Sequence, residues 1–251
     1  MGSREIDHTA WSVRAFGSAA ADVERRIHPR APAASIDALL ESCLADEEGH
    51  APLPGVVSSW SVARRLDWLV AIRMAGGAAT EHVVMTCAVC RAQFELEIDL
   101  ARCRLAQDDG PVEFSVAHGV SRRARLPTGT DHSRWQSERT PLVLAATGLL
   151  VDSRPDVLDD EATQALDAAL AQRDPLRELS VETACPECGA SARQLVNLEE
   201  QLLGAFASTQ RRLLGEIETL ARVFHWREAD IADMPAWRRA FYLDRVSREG
   251  A

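Results

Sequence analysis

The residues with the clearest chemistry lie in two short segments, Cys87-Ala88-Val89-Cys90 and Cys185-Pro186-Glu187-Cys188-Gly189. Thiols with two residues between them in a tight turn can aim both sulfurs at one point. Two such pairs supply the four soft ligands of a closed tetrahedral site, the set that zinc prefers. Cys87, Cys90, Cys185 and Cys188 are therefore read as one structural zinc site. Ninety-four residues separate the two pairs, far more than in a short zinc ribbon, so a shared ion would clasp two distant parts of the chain.

Other uses of the thiols fit less well. A Cys-x-x-Cys pair can be redox-active because its geometry lowers a thiol pKa, but that chemistry needs one pair and this chain has two equivalent ones. A catalytic zinc keeps a position open for water, and four thiolates leave none. Cys43 and Cys103 have no neighbour at ligand spacing and read as ordinary buried thiols. The seven histidines are scattered, with no His-Glu-x-x-His pair and no Gly-x-Ser-x-Gly elbow. Asp131 and His132, beside Thr128 and Thr130, read as a turn rather than an active site. A non-enzymatic protein is the expectation.

The elements that must position the cysteines are legible from periodicity. From Glu81 the apolar period is two: Val83 and Met85 lead into the first pair, and Phe94, Leu96, Ile98 and Leu100 alternate with Glu95, Glu97 and Asp99 behind it. Val181 and Thr183 enter the second pair, and Ala192, Gln194 and Val196 leave it. Each pair thus sits at the turn of a hairpin. A further hairpin is expected from Val112 to Ala117 and Val120 to Leu126 around His118-Gly119, with Arg122, Arg123 and Arg125 on its return strand. Pro127 to Asp131 reads as a turn, Leu142 to Val151 as a short apolar segment, and Asp159 to Gln172 as an amphipathic helix.

Upstream, the segment to about Arg30 has weak periodicity and reads as a mobile or partner-docking extension. Ser35 is the expected cap of a helix carrying Ile36, Leu39, Leu40 and Leu44, and Ser58 or Ser59 the cap of a second that ends at Gly76-Gly77. Downstream, a helix from Asn197 or Leu198 to His225 carries Leu202, Phe206, Leu213, Leu214, Ile217, Leu220, Ala221 and Phe224 on one stripe. It would be about 40 Å long. A short turn follows at Trp226 to Ile231, and Pro235 opens a last helix to Arg248.

The expected fold class is α+β: a split zinc ribbon with small antiparallel hairpins, a helical insertion and a long C-terminal helical region. The divisions are an N-terminal extension over 1–34, a helical segment over 35–78, the split ribbon with its insertion over 79–197, and the C-terminal region over 198–251. The 251 residues are 46% hydrophobic, enough for a substantial core. With 28 Arg and no Lys against 38 Asp and Glu, the net charge of -10 opposes nucleic acid and anionic membranes on average. No secretion signal and no apolar run of about 20 residues stands out, so a cytoplasmic location is expected. In the last helix Arg238, Arg239, Arg245 and Arg248 interleave with Trp237, Phe241 and Tyr242. Such a set can grip phosphate and bases, or bury its aromatic residues while its arginines face water or an acidic partner.

The run Leu214-Gly215-Glu216-Ile217-Glu218-Thr219-Leu220-Ala221, then His225-Trp226-Arg227-Glu228-Ala229-Asp230-Ile231, Met234-Pro235 and Arg238-Arg239-Ala240-Phe241-Tyr242-Leu243, resembles the T4-type phage baseplate protein family of contractile phages and phage-derived extracellular injection systems. The cysteine pairs and Leu126-Pro127-Thr128-Gly129 extend the likeness loosely over residues 80–245. The resemblance implies a non-enzymatic structural or assembly component of a baseplate hub, chaperone-like in role, with baseplate, hub or spike proteins as partners and incorporation into a phage-tail-like particle. Trp226, Trp237, Arg238, Arg239, Phe241 and Tyr242 are the candidate contact residues. The competing class is a zinc-ribbon nucleic-acid-binding or transcription-associated adaptor, with Arg122 to Arg125 and the last helix forming one basic face.

Overall fold

The computed structural model describes residues 11–28, 31–104, 109–116, 119–151 and 157–249. Among them are eight α-helices and four two-stranded antiparallel sheets, an α+β arrangement. The expected turn residue His118 lies outside the described residues. β1 (Ser12–Val13) pairs with β2 (Leu44–Ala45), which directly follows α1 (Pro32–Cys43). The cap expected at Ser35 is a correction: α1 already begins at Pro32, where a missing N–H goes unnoticed. Ser35 is buried in the first turn, its hydroxyl donating to the His28 carbonyl at 3.0 Å and accepting from the His28 N–H at 2.9 Å. α2 (Val62–Ala75) starts at Ser61 rather than Ser58 or Ser59, because it is Ser61 Oγ that reaches the Arg64 N–H at 3.2 Å. Gly76 ends it, as expected, and Gly77 turns the chain with φ +87°.

β3 (Thr80–Thr86) and β4 (Gln93–Asp99) form the first cysteine hairpin, with Val83 opposite Leu96 and Met85 opposite Phe94. Its alternation sorts as expected: Val83, Met85 and Ile98 are buried, and Glu95 and Glu97 face water. An insertion follows, made of β5 (Val112–Val116), β6 (Val120–Ala124), α3 (Gly129–Glu138), α4 (Leu142–Thr147) and α5 (Asp160–Arg173). These enclose their own apolar cluster, with Phe114, Ala124, Leu149, Leu166 and Leu170 at its centre. The turn read over Pro127 to Asp131 is the start of α3. Thr128 Oγ1 accepts from the Asp131 N–H, and the Asp131 carboxylate accepts from the Thr128 N–H, a reciprocal cap.

β7 (Leu179–Ala184) and β8 (Ser191–Val196) form the second cysteine hairpin and run into α6 (Leu198–Phe224), capped by Asn197 Oδ1 on the Glu200 N–H at 3.2 Å. Both cysteine hairpins share the largest core with α1, α2 and the first half of α6, through Leu39, Leu69, Met85, Val196, Leu202 and Phe206 among others. α7 (Glu228–Ala232) and α8 (Ala236–Glu249) pack on the second half of α6 around Leu213, Ile217, Leu220 and Ile231. Leu214, expected on the buried stripe, is 42% exposed, since the position after Leu213 is turned about 100° around the helix. Gln210 is buried in its place. Its amide accepts from the Ile27 N–H at 3.0 Å and donates to the carbonyls of Asp22 and Arg25 at 2.8 and 2.7 Å. Residues 11–28, read as part of an extension, are thereby packed along α6, with Phe16 edge-on to Phe206 at 5.8 Å.

Buried arginines join these parts. Arg65 of α2, 2% exposed, bonds Asp37 of α1 at 2.5 Å and the Ala33 carbonyl at 3.1 Å. Its guanidinium lies flat against Gly129: a Cβ there would stand 2.0 Å from Nη1 and 2.4 Å from Cζ. With Arg65 pinned on its far side, Gly129→Ala should cost about 2 to 3 kcal/mol in denaturant unfolding. Asp131 also binds Arg125, at 2.5 and 2.9 Å. Burial opposes its charge, but Arg125 and Thr128 prevail and hold its carboxyl down to about 2. A carboxyl lowered on folding stabilises fully above its unfolded value, about 3.9, and loses that contribution as pH falls toward 2. Asp131→Asn should therefore cost about 1 to 2 kcal/mol at neutral pH, with the two unfolding curves converging near pH 2.

Candidate metal centre

The two cysteine turns have the same backbone. In the first, the Cys87 N–H donates to the Ala92 carbonyl at 2.9 Å and the Arg91 N–H to the Cys87 carbonyl at 3.0 Å. In the second, the Cys185 N–H donates to the Ala190 carbonyl and the Gly189 N–H to the Cys185 carbonyl, both at 2.9 Å. The residue after the second cysteine is left-handed in each, Arg91 at φ +64° and Gly189 at φ +71°. Only the second turn has glycine where that conformation asks for it.

This geometry brings together the four cysteines selected from the sequence. Cys87 Sγ lies 3.7 Å from Cys188 Sγ, and Cys90 Sγ lies 3.6 Å from Cys185 Sγ. All four sulfurs fall within 4.8 Å of one another. Disulfide sulfurs are about 2.05 Å apart, so these pairs are not bonded, and all six cysteines are free. Thiolates about 2.3 Å from a central ion in a tetrahedron are about 3.8 Å from each other, close to both cross-hairpin separations. The donor set fits a metal ion, and four thiolates suit zinc and iron alike.

Burial follows the same twofold pattern. Cys87 and Cys185, the first of each pair, are buried, and Cys90 and Cys188 are exposed. Amide N–H groups of Cys90 and Val89 hold the Cys87 thiol down to about 6. The Ala92 amide favours the Cys90 thiolate as well, but the crowding of Cys188, Cys185 and Cys87 prevails and pushes that thiol up to about 12. Four sulfurs at this spacing cannot all be ionised without a cation between them.

The other candidates lie elsewhere. Burial pushes the Cys43 thiol up to about 12, and the Cys103 thiol donates to the Asp99 carbonyl at 3.5 Å. Neither belongs to the cluster. On α8, Trp237 and Phe241 are 73% and 61% exposed. Arg238 stands over Tyr242 at 5.8 Å. Tyr242 and Trp226 are half-buried: Trp226 stacks on Phe224 at 4.6 Å, and Tyr242 meets it edge-on at 4.9 Å. Arg239 is a correction, because it is not on the surface. At 3% exposed, it reaches Glu216 and the Gly17 carbonyl, both at 3.3 Å, and the Met234 carbonyl. Sequence reasoning also missed Arg91, although alignment of the two cysteine turns places it opposite Gly189.

Among the described residues no helix is long and apolar enough to cross a membrane. Comparison with known protein families, with curated proteins and with solved structures finds no match to this chain.

The metal-loaded protein should contain one ion per chain by elemental analysis. Cys185→Ser should abolish that content and lower the unfolding midpoint as far as chelation does in the wild type. Gly189→Ala should cost about 1 kcal/mol. Arg91→Gly should gain no more than about 1 kcal/mol, because glycine also frees the unfolded chain.

Proposed function

We propose that this protein is a non-enzymatic assembly or structural component whose four-cysteine centre holds a structural zinc, the two hairpins forming a split zinc ribbon, and whose last helix docks a protein partner. The observation that carries the docking role is the pair Trp237 and Phe241, four residues apart on one face of α8 and both largely exposed. Side chains at that spacing are neighbours on a helix. Large aromatic groups left in water beside an arginine are the kind of anchor that fills a partner's pocket. The likeness of residues 214–243 to the T4-type baseplate family supports a hub or spike protein of a contractile phage tail or phage-like injection system as that partner.

The zinc reading rests on the donor set. Cys87, Cys90, Cys185 and Cys188 would hold the ion, and a closed site of four thiolates supplies no open position for substrate or water. Its role would be to fix the two hairpin tips to each other. The adaptor alternative needs Arg122 to Arg125 and the last helix to share one basic face. Arg125 is bound to Asp131 and Arg239 is buried on the inner face of α8, so two of its arginines are committed elsewhere.

Trp237→Ala and Arg238→Glu should abolish capture of co-expressed hub or spike protein while shifting stability by less than about 0.5 kcal/mol. Arg239→Ala should instead lose about 2 to 4 kcal/mol of stability, as expected for breaking a buried charged contact. Normal particle assembly and partner capture by both surface variants would refute the docking role.

A further inference from the structure

A cavity of about 370 Å3 lies among α3, α4 and α5, within the range of roughly 300 to 1,000 Å3 typical of small-molecule sites. Apart from Val62 of α2 it is lined by the insertion between the cysteine pairs, and it involves neither the metal centre nor the face of α8. Its walls are mostly apolar, with Leu149, Leu166, Leu170, Ala145 and Trp135 among them. Polar groups interrupt these walls at Thr140, His132, Asp167, Asp174 and Arg177.

One of those groups lacks a partner and another shares its counter-charge. Thr140 Oγ1 is buried and has no hydrogen-bond partner among the described residues, although a buried hydroxyl is ordinarily satisfied. Asp174 shares its compensating charge, since the one arginine on the wall, Arg177, attracts it but is bound to Asp167 at 2.7 Å. Burial pushes the Asp174 carboxyl up, against amide bonds from Leu176 and Arg177. Burial likewise pushes His132 down, toward its neutral form. Among the lining residues two carboxylates face one guanidinium, an excess of one negative charge, and Arg65, whose charge also reaches His132, is itself bound to Asp37. The Trp135 ring, which His132 approaches at 5.7 Å, offers a π face that favours a cation over an anion.

We propose that this cavity binds a small, mainly apolar amine that also carries a hydrogen-bonding group, with its ammonium held by Asp174, its hydrocarbon part against Leu166 and Leu170, and its polar substituent on Thr140. Tyramine has this chemistry and serves as the probe. Its two controls are phenethylamine, which lacks the hydroxyl, and 3-(4-hydroxyphenyl)propionate, which replaces the ammonium with a carboxylate.

Calorimetric or ligand-observed titration of the full chain should show saturable tyramine binding, with the propionate weaker by about tenfold or more. Asp174→Asn should remove that preference while leaving the unfolding midpoint in place. Thr140→Val, close to isosteric, should weaken tyramine several-fold and phenethylamine hardly at all. The proposal is overturned if neither amine saturates the protein at millimolar concentration, if amine and carboxylate bind equally, or if folded Asp174→Asn binds tyramine as the wild type does.

Discussion

Four sulfurs confined within 4.8 Å of one another repel when ionised, so the two hairpin tips can share this position only with protons or a cation between them. The hairpins do not meet through sheet pairing, since β3–β4 and β7–β8 are separate sheets. They meet because Val83, Met85 and Ile98 of one and Val196 of the other are buried in a core shared with α1, α2 and α6. That core sets the distance between the tips, and the sulfur chemistry decides what is stable there. An ion at the centre would turn the repulsion into a cross-link that closes the chain between the pairs, where closure of a long segment matters most.

The insertion inside that closure has its own apolar cluster, and arginine contacts help join it and the chain leading into it to the rest. Arg65 of α2 touches α1 and the first residue of α3 together. Arg104 forks onto Asp67 of α2 at 2.7 and 3.1 Å, just after the first cysteine hairpin. The chain contains no lysine, and a planar guanidinium can satisfy a carboxylate and a carbonyl at once, which an ammonium does less well. These contacts fix orientation more than they add stability, because each carries the cost of removing charge from water.

The adjacent pair Arg238 and Arg239 shows how one helix divides its residues. Arg239 turns inward, binding α6 through Glu216 and the N-terminal segment through Gly17, while Arg238 stays out beside Tyr242. The inner face of α8 is thus polar at its centre, and two of its aromatic side chains, Trp237 and Phe241, point to water. A helix stabilised only by burying its apolar residues would place them the other way round.

The sequence alone determined the local elements. Period-two alternation marked both cysteine hairpins, the spacing within each pair marked the ligands, and the apolar stripe after Asn197 marked α6 almost to the residue, because these signals arise from contacts only a few residues apart. The starts of α1 and α2 lie a few residues from the serines that the pattern suggests, since serine is common near helix ends: no side chain caps α1, and geometry selects Ser61 for α2. Tertiary structure decided the rest: that Gln210 anchors residues 11–28, that Gly129 exists to admit Arg65, that Arg239 is buried and Arg238 is not, and that a cavity lies beside α5. Each depends on which distant segments meet, and that is set by the sum of the core rather than by the pattern of any one stretch.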